Sequence, residues 1–288
     1  MICTKNLLCP AFIYGGGWKT GGLFPLRAWW KVSCLMEIWT TLRRCLISSD
    51  VTGRGRYSSG RYRGGAVIIG LRLSISLERF LPAMFENVLT SEQMELAERL
   101  LPHCQQFYMV GGTALALHIG HRRSLDFDLA SCEPLKPFDI ERNLMANGLA
   151  IERVTTASAD EFSVFINGIR VTFLSFPFEV RHDLMWQRGK ISLPDLPSLA
   201  AMKAYALGRR SKWKDYVDLY FVLKHHLDME TLIEKAEDIF TSHFNARLFR
   251  EQLCYFEDID YSEDVEYLAS APLKDEISQF LEKVATAI

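Results

Sequence analysis

The sequence has no long apolar run and no cysteine framework. A membrane-spanning helix needs about 18 to 20 consecutive apolar residues, and no such run occurs in the 288 residues, so we expect no membrane partner. The seven cysteines are scattered singly, without a CxxC pair, and their total is odd. This usage excludes a disulfide-stabilised secreted scaffold and fits a reducing compartment, so we expect a cytoplasmic protein.

Positive charge is scarce after residue 83. Residues 84–288 hold 21 lysines and arginines against 32 acidic residues, a balance of −11, whereas residues 1–83 hold 12 against 3, a balance of +9. Eleven of the 18 glycines also precede residue 84. Such a break in composition marks segments of different origin or role. The acidic body opposes nucleic acid unless local basic patches intervene.

Residues 1–83 have the composition of a segment that cannot bury a core. Residues 53–65 read GRGRYSSGRYRGG, a low-complexity tract without the apolar residues that folding requires. We therefore expect a basic, disordered N-terminal extension. Arginine, glycine and tyrosine interleaved in this way can also bind nucleic acid by charge and stacking. This alternative makes the chain a nucleic-acid-binding protein that acts through its N-terminus.

From residue 84 onward the pattern predicts an α+β fold. Thr90 and Gln93 have the spacing of a helix-capping box, and Asn167-Gly168 predicts a hairpin turn between two strands. The predicted strands are 107–110, 125–130, 150–155, 161–166 and 170–176, and the predicted helices after the first are 113–119, 137–148, 197–207, 212–225, 229–240, 246–254 and 273–287. This order predicts a small mixed sheet in residues 84–180 and a helical region in residues 181–288.

The chain is organised around two glycines and two acids. Gly111-Gly112 follows a short apolar strand and opens a helix, and Asp126 and Asp128 lie two residues apart on the next predicted strand. Residues i and i+2 of a strand share a face, and apolar Leu125, Phe127 and Leu129 are expected to cover the other one. Paired carboxylates suit Mg²⁺ together with phosphate oxygens. Glycines before a helix N-terminus let a phosphate approach unpaired N–H groups.

This stretch resembles a known signature. A hydrophobic residue, two glycines, the spacer 113–125 and the Asp-x-Asp pair are similar to the active-site pattern of DNA polymerase β-like nucleotidyltransferases. The longer text from Tyr108 to Leu129, YMVGGTALALHIGHRRSLDFDL, resembles the AbiEii/AbiGii type. These proteins are the toxin halves of bacterial type IV toxin–antitoxin and phage-abortive systems. The resemblance covers about residues 84–240.

The resemblance implies a polymerase β-like core that binds a nucleoside triphosphate with Mg²⁺ or Mn²⁺. Asp126 and Asp128 are then catalytic metal ligands, and Gly111, Gly112 and Thr113 bind phosphates. From the residues alone, the glycines could equally form a plain strand-to-helix turn with Thr113 as its cap.

Arg122 and Ser124 lie in the loop just before the acids. We expect them to bind phosphate, since an arginine there can contact it through two hydrogen bonds. Arg122 could instead be a solvated loop residue or a partner for the carboxylates.

A second set of candidates lies in two later helices. Lys203 is the only charge in the apolar run 199–207, so it must extend to solvent or meet an anion. The resemblance includes a lysine there and implies phosphate binding and catalysis. Asp215 and Asp218 share a helix face. We favour Asp215 as the catalytic acid and Asp218 as its support, although Asp218 could simply pair with Arg209 or Arg210.

One position departs from the superfamily pattern. Polymerase β-like enzymes carry a third carboxylate on a later strand, where this chain has Thr172. Asp215 could substitute, Glu161 could serve, or the site could hold one metal loosely. A catalytically degenerate nucleotide-binding module is therefore an alternative.

The resemblance also implies where the functional protein begins and which partners it has. Met84 begins the text MFENVL, which resembles the start of AbiEii-type proteins, so for residues 1–83 we favour upstream sequence read from a misplaced start codon. The implied activity is transfer of a nucleotidyl group to an acceptor hydroxyl. The implied partners are an RNA acceptor, for example a tRNA 3′ end, and a cognate antitoxin that restrains growth inhibition.

Overall fold

The structure is a computed structural model that describes residues 84–287; the expectations for residues 1–83 lie outside that range. The α-helices there are α1 Ser91–Leu100, α2 Gly111–Ile119, α3 Pro137–Ala146, α4 Leu196–Leu207, α5 Trp213–His225, α6 Met229–Phe240, α7 Ala246–Leu253 and α8 Lys274–Thr286. The strands are β1 Tyr108–Val110, β2 Phe127–Ser131, β3 Arg153–Ala157, β4 Glu161–Ile166, β5 Ile169–Ser175, β6 Leu184–Trp186 and β7 Ile191–Leu193. Short 3₁₀ turns lie at Glu86–Val88, Leu101–His103 and Thr241–His243.

All seven strands form one mixed sheet in the order β3-β4-β5-β2-β1-β7-β6. The pairs β2–β5 and β1–β7 are parallel, and the other neighbours are antiparallel. Asp128 on β2 lies opposite Val110 on β1 and Thr172 on β5. The sheet precedes a helical C-terminal half, so the predicted α+β fold with a mixed sheet is confirmed.

Local chemistry explains where several elements start and turn. Thr90 and Gln93 form the predicted capping box at α1, and the side chain of Asp195 accepts the Ser198 N–H at the start of α4. The predicted hairpin between β4 and β5 is also confirmed. Asn167 and Gly168 have φ angles of 52° and 71°, as a two-residue turn of the right twist requires.

The two faces of the sheet belong to two hydrophobic clusters, and α4 and α6 contribute residues to both. Phe127, Leu129 and Phe173 are fully buried in the larger core, which also contains α1, α2, α5 and α8 residues. The opposite face carries Tyr108 and Ala130, which are buried with residues of α4 and α6. Alternation along β2 places Asp128 on that second face. Helices of the C-terminal half therefore cover the part of this face around Tyr108 and Ala130. Asp128 lies on the same face, beside the covered part.

Three expectations need correction. The hairpin β6–β7 was not predicted, because each strand has only three residues, too few for an alternation to show. It extends the sheet past residue 180, so the helical region begins at α4. Leu125 does not cover a face: it precedes β2 and is 58% exposed. Strand β3 begins at Arg153 rather than residue 150 and forms the largely exposed edge of the sheet.

No helix in residues 84–287 is long and apolar enough to span a membrane.

Candidate active site

The Gly111-Gly112 turn is shaped by close contact with Asp128. Gly111 has a φ of +74°, which favours glycine, and a Cβ atom there would overlap Asp128 Oδ2. At Gly112 a Cβ atom would lie 2.7 Å from Arg122 Nη2 and 3.1 Å from Ser124 Oγ. No side chain in the described part of the chain caps the start of α2. Its first N–H groups are therefore free to bind an anion.

Asp126 and Asp128 lie beside this turn. Burial and the charge of Asp126 raise the pKa of Asp128 to about 6, against the opposing charges of Lys203, Arg210 and Arg170. Mutual repulsion of this kind identifies two carboxylates that share a site. Asp126 is partly exposed, and its Oδ2 accepts a hydrogen bond from Arg170 Nη2 at 2.6 Å. A divalent cation would relieve the repulsion, and both carboxylates retain oxygens to bind it.

Where polymerase β-like enzymes carry a third carboxylate, this chain has the hydroxyl of Thr172, on the strand next to Asp128. Thr172 is the register partner of Asp128 on β5 and of Ser163 on β4. Ser163 Oγ lies 3.3 Å from Thr172 Oγ1 and donates to Glu161 Oε1 at 2.7 Å. Glu161 thus lies on the same face of the sheet as Asp128, and the hydroxyls of Ser163 and Thr172 lie between the two carboxylates. No group of three or more His, Cys, Asp or Glu side chains able to hold a metal exists in residues 84–287.

Asp218 forms the centre of a buried ion-pair network. Arg122 Nε and Nη2 donate to its two oxygens at 2.7 and 2.9 Å, and His121 Nε2 lies 2.7 Å from Oδ1. Burial would raise the pKa of Asp218, but the charges of Arg122 and Lys203 hold it well below its usual value. The alternative that Asp218 pairs with Arg209 or Arg210 is wrong. Its arginine is Arg122, which is 96 residues away in sequence.

Lys203 joins this network to Asp215. Its Nζ lies 2.6 Å from Asp215 Oδ1 and 2.8 Å from Asp218 Oδ2, so this buried lysine meets anions instead of extending to solvent. Arg210 Nε donates to Asp215 Oδ2 at 2.9 Å. Burial opposes ionisation of Asp215, yet Lys203 and Arg210 lower its pKa. Both of its oxygens face cations, so Asp215 is a poor base and is suited to orienting Lys203.

These side chains form what we call the charge cluster: His121, Arg122, Lys203, Arg210, Asp215 and Asp218. Burial lowers the pKa of His121, so its imidazole is neutral at pH 7. Three cations then face two carboxylates, and the cluster carries one net positive charge. Lys203 Nζ donates a hydrogen bond to Asp215 and forms an ion pair with Asp218. The excess positive charge suits a phosphate near Asp128.

The structure places the remaining predicted residues in different roles. The Thr113 hydroxyl is fully buried and donates to the backbone oxygen of Asp126, so it positions the first acid instead of facing a ligand. Arg122 pairs with a carboxylate, but with that of Asp218 and not with the neighbouring acids for which a pairing was left open. The Ser124 hydroxyl lies beside Gly112, where a bound phosphate could reach it.

Sequence reasoning missed Arg170 and the roles of His121 and Arg210. Arg170 precedes Thr172 by two residues, so strand alternation alone places both on the face of Asp128.

His121 gave no such signal, because its partner Asp218 is 97 residues away. Arg210 is only five residues from its partner Asp215, but the sequence suggested it as a partner of Asp218 instead.

Comparison with known proteins gives a family match for part of the chain. The sequence model described as "Nucleotidyl transferase AbiEii toxin, Type IV TA system" matches residues 175–287. The uncharacterized protein aq_aa25 of Aquifex aeolicus is 32% identical over 211 residues, which are 68% of this chain and 95% of that protein.

Solved structures with a similar arrangement include two bacterial proteins. MenT4, a nucleotidyltransferase toxin of Mycobacterium tuberculosis, has 15% identity and a TM-score of 0.49 over 68% of this chain and 80% of its own. JHP933 of Helicobacter pylori has 18% identity and a TM-score of 0.38 over 59% and 74%. From the family match and the A. aeolicus relative, the chain belongs to the AbiEii family of nucleotidyl transferase toxins.

Proposed function

We propose that this protein transfers a nucleotidyl group from a nucleoside triphosphate to an acceptor hydroxyl. One observation carries the proposal: two mutually repelling carboxylates, Asp126 and Asp128, lie against an uncapped glycine turn at the start of α2. Such a site combines ligands for a hard divalent cation with N–H donors for the phosphates attached to it.

The chain's residues fit a bound Mg²⁺ or Mn²⁺. Mg²⁺ usually takes one or two protein carboxylates and completes its shell with phosphates and water, which matches a pair of acids without a third. When bound, the metal neutralises phosphate charge during transfer. Asp126 and Asp128 would hold it, and Thr113 fixes the backbone at Asp126 through its buried hydroxyl.

The phosphates would be bound by the groups around the glycine turn. The N–H groups of Gly111 and Gly112 and the hydroxyl of Ser124 lie at the start of α2. Lys203 contributes positive charge from the charge cluster, and that charge acts on Asp128. The acceptor oxygen forms a bond to the α-phosphorus, and the bond from that phosphorus to the bridging oxygen breaks, so pyrophosphate leaves. Positioning and electrostatic stabilisation supply the acceleration.

Family membership supports the wider biological setting of this proposal. The family description names a toxin of a type IV toxin–antitoxin system. We propose a cytoplasmic toxin that modifies an RNA acceptor, for example a tRNA 3′ end, and is held in check by a cognate antitoxin. Growth inhibition on infection would then contribute to phage defence.

The position of the label in the triphosphate tests the reaction. The full chain is incubated with Mg²⁺, total bacterial RNA and each of four triphosphates labelled at either the α- or the γ-phosphate. We expect one nucleotide to label RNA from the α-phosphate only, because the γ-phosphate leaves in pyrophosphate. The isosteric variant Asp128→Asn should incorporate none, while the variant Asp139→Asn, at an exposed acid outside the site, should match wild type.

A second candidate is a nucleotide-binding module without turnover. Thr172 at the third acid position and the Arg170–Asp126 ion pair favour it, since both reduce the negative charge available to a second metal. Binding of Mg²⁺ and triphosphate without label in RNA or in the protein itself would support this module over the transferase.

A further inference from the structure

The turn between α4 and α5 concentrates positive charge in an acidic body. Residues 209–214 read RRSKWK, with four cations in six residues, and we call this segment the basic turn. It adjoins the candidate active site, because Arg210 contacts Asp215 and its charge opposes the raised pKa of Asp128. A polyanion that reached the site would meet this charge.

An acidic segment of the chain lies on this turn. Residues 257–266 read EDIDYSEDVE, with six acids in ten residues, and we call them the acidic loop. Glu263 Oε2 lies 3.0 Å from Lys214 Nζ, and Glu263 Oε1 pairs with Lys212 Nζ. One carboxylate therefore pairs with both lysines of the basic turn and offsets one of their two positive charges.

The backbone holds the acidic loop in register with the basic turn. The Trp213 N–H donates to the Asp260 carbonyl at 3.1 Å, and the Asp260 N–H donates to the Ser211 carbonyl at 2.7 Å. The Ser211 hydroxyl donates to Asp258 Oδ2 at 3.2 Å. These bonds do not involve the Glu263 side chain. The carboxylate can therefore leave the lysines while the loop backbone stays in place.

The ion pairs themselves are accessible to solvent. The side chains of Lys212, Lys214 and Glu263 are 36%, 25% and 38% exposed. Solvent and salt screen ion pairs this exposed, so a polyanion that brings several phosphates can compete with the single Glu263 carboxylate for the two lysines. Hydrogen bonds from Lys212 and Lys214 hold the pKa of Glu263 at about 2, so its charge persists at all physiological pH values.

We propose that the acidic loop is a built-in competitor for the basic turn, and that the turn is a docking surface for a polyphosphate strand of the acceptor. Binding of the strand displaces Glu263 from Lys212 and Lys214. The same carboxylate weakens binding of non-cognate polyanions, whose affinity rests on charge alone. The inference rests on the proposed function, because that function makes the bound strand an acceptor. Binding of the strand can be measured without turnover.

The test is binding of a labelled oligonucleotide without triphosphate. Fluorescence anisotropy of a fluorescein-labelled 20-residue oligouridylate is measured with the full chain across a salt series. We expect Glu263→Gln to tighten binding by about 3- to 10-fold, because the two lysines become free. The double variant Lys212→Gln/Lys214→Gln should weaken binding by about 10-fold or more and flatten the salt dependence.

Two controls separate this mechanism from a general change in charge. Glu257→Gln removes the same charge from an exposed position of the acidic loop that does not contact the basic turn, and it should change affinity by less than about 2-fold. Adding Glu263→Gln to the double lysine variant should have no further effect. The basic residues 1–83 are present in every variant, so differences between variants do not depend on them.

Equal affinities of wild type and Glu263→Gln, or an equal gain from Glu257→Gln, would overturn the inference. Thermal unfolding followed by circular dichroism identifies any variant that has lost its fold. Loss of this inference would leave nucleotidyl transfer untouched, since label incorporation is a separate measurement. Conversely, the predicted changes in binding could hold in a protein without turnover.

Discussion

At the scale of single residues, the site separates carboxylates that need a ligand from carboxylates that already have one. Asp215 and Asp218 have cations on their oxygens and pKa values below the usual range. Asp128 has a raised pKa of about 6 and a carboxylate neighbour. Asp215 and Asp218 organise the site, whereas Asp126 and Asp128 are the carboxylates at which a metal ion would gain most by binding.

Replacing Asp218 should destabilise the fold strongly. The change Asp218→Asn leaves Arg122 and Lys203 buried without their shared counter-charge, and breaking a buried pair in this way costs about 3–5 kcal/mol. Urea denaturation at pH 7 measures the loss. The exposed pair of Asp139 and Arg142 gives the control, since Asp139→Asn should cost less than about 1 kcal/mol. A similar loss for both variants would contradict the role given to Asp218.

Replacing Asp128 should stabilise the fold while removing activity. The pKa of this carboxyl rises from 3.8 to about 6 on folding, so ionisation above pH 6 weakens the native state. Stability from the neutral acid is present below pH 4 and is lost as pH rises through 6. Asp128→Asn stays neutral and should therefore gain about 1–3 kcal/mol at pH 8 and little at pH 4. Urea titrations at both pH values check this; equal effects at the two would contradict it.

At the scale of elements, the strand-to-helix junction of β1 and α2 determines the geometry. Gly111 needs a positive φ and leaves room for Asp128, and the uncapped start of α2 faces the space beside it. The neighbouring loop places Arg122 Nη2 and Ser124 Oγ next to Gly112. These elements are close in sequence, which is why they were open to prediction.

The change Gly111→Ala should abolish nucleotide incorporation, because its Cβ atom would displace the Asp128 carboxylate. Gly168→Ala is a matched control with a similar φ of +71° and no atom within 4 Å of the added Cβ atom. It should cost about 1 kcal/mol in strain and retain activity. Label incorporation and urea denaturation are measured for both. Equal activity of the two variants would contradict a close approach at Gly111.

The sequence allowed prediction of elements with local signals and failed where partners are distant. The capping box of Thr90 and the turn at Asn167 depend on residues three or fewer apart, and both were found. Two partners of Asp218, Arg122 and His121, lie 96 and 97 residues away, so no spacing rule could identify them. The hairpin β6–β7 was missed because three-residue strands carry no usable period.

At the scale of the whole molecule, the sheet separates a large core from a smaller one formed with α4 and α6. The candidate site lies on the face of the smaller core. Its charged residues come from the sheet, from the loop before β2, and from α4, α5 and the turn between them, so the two regions expected from sequence both contribute to it. A folded unit in residues 84–288 would contain every one of these groups.

A chain beginning at Met84 should therefore fold and keep its activity. We propose that residues 1–83 are dispensable, since residues 84–287 supply two hydrophobic cores and every candidate site residue. Circular dichroism and label incorporation compare the short and full chains. If the short chain folds but has lost both RNA binding and label incorporation, the N-terminal segment leads nucleic-acid binding, and the alternative function gains support.

The carboxylate pair is most directly tested by metal binding. Mn²⁺ in place of Mg²⁺ is titrated into the full chain with a non-hydrolysable triphosphate at pH 7.5, and bound Mn²⁺ is counted by electron paramagnetic resonance. We expect Mn²⁺ to bind wild type in the presence of the triphosphate, and Asp128→Asn to lose that binding while remaining folded. Undiminished Mn²⁺ binding in a folded Asp128→Asn protein would contradict the assignment of Asp126 and Asp128 as the metal–nucleotide site.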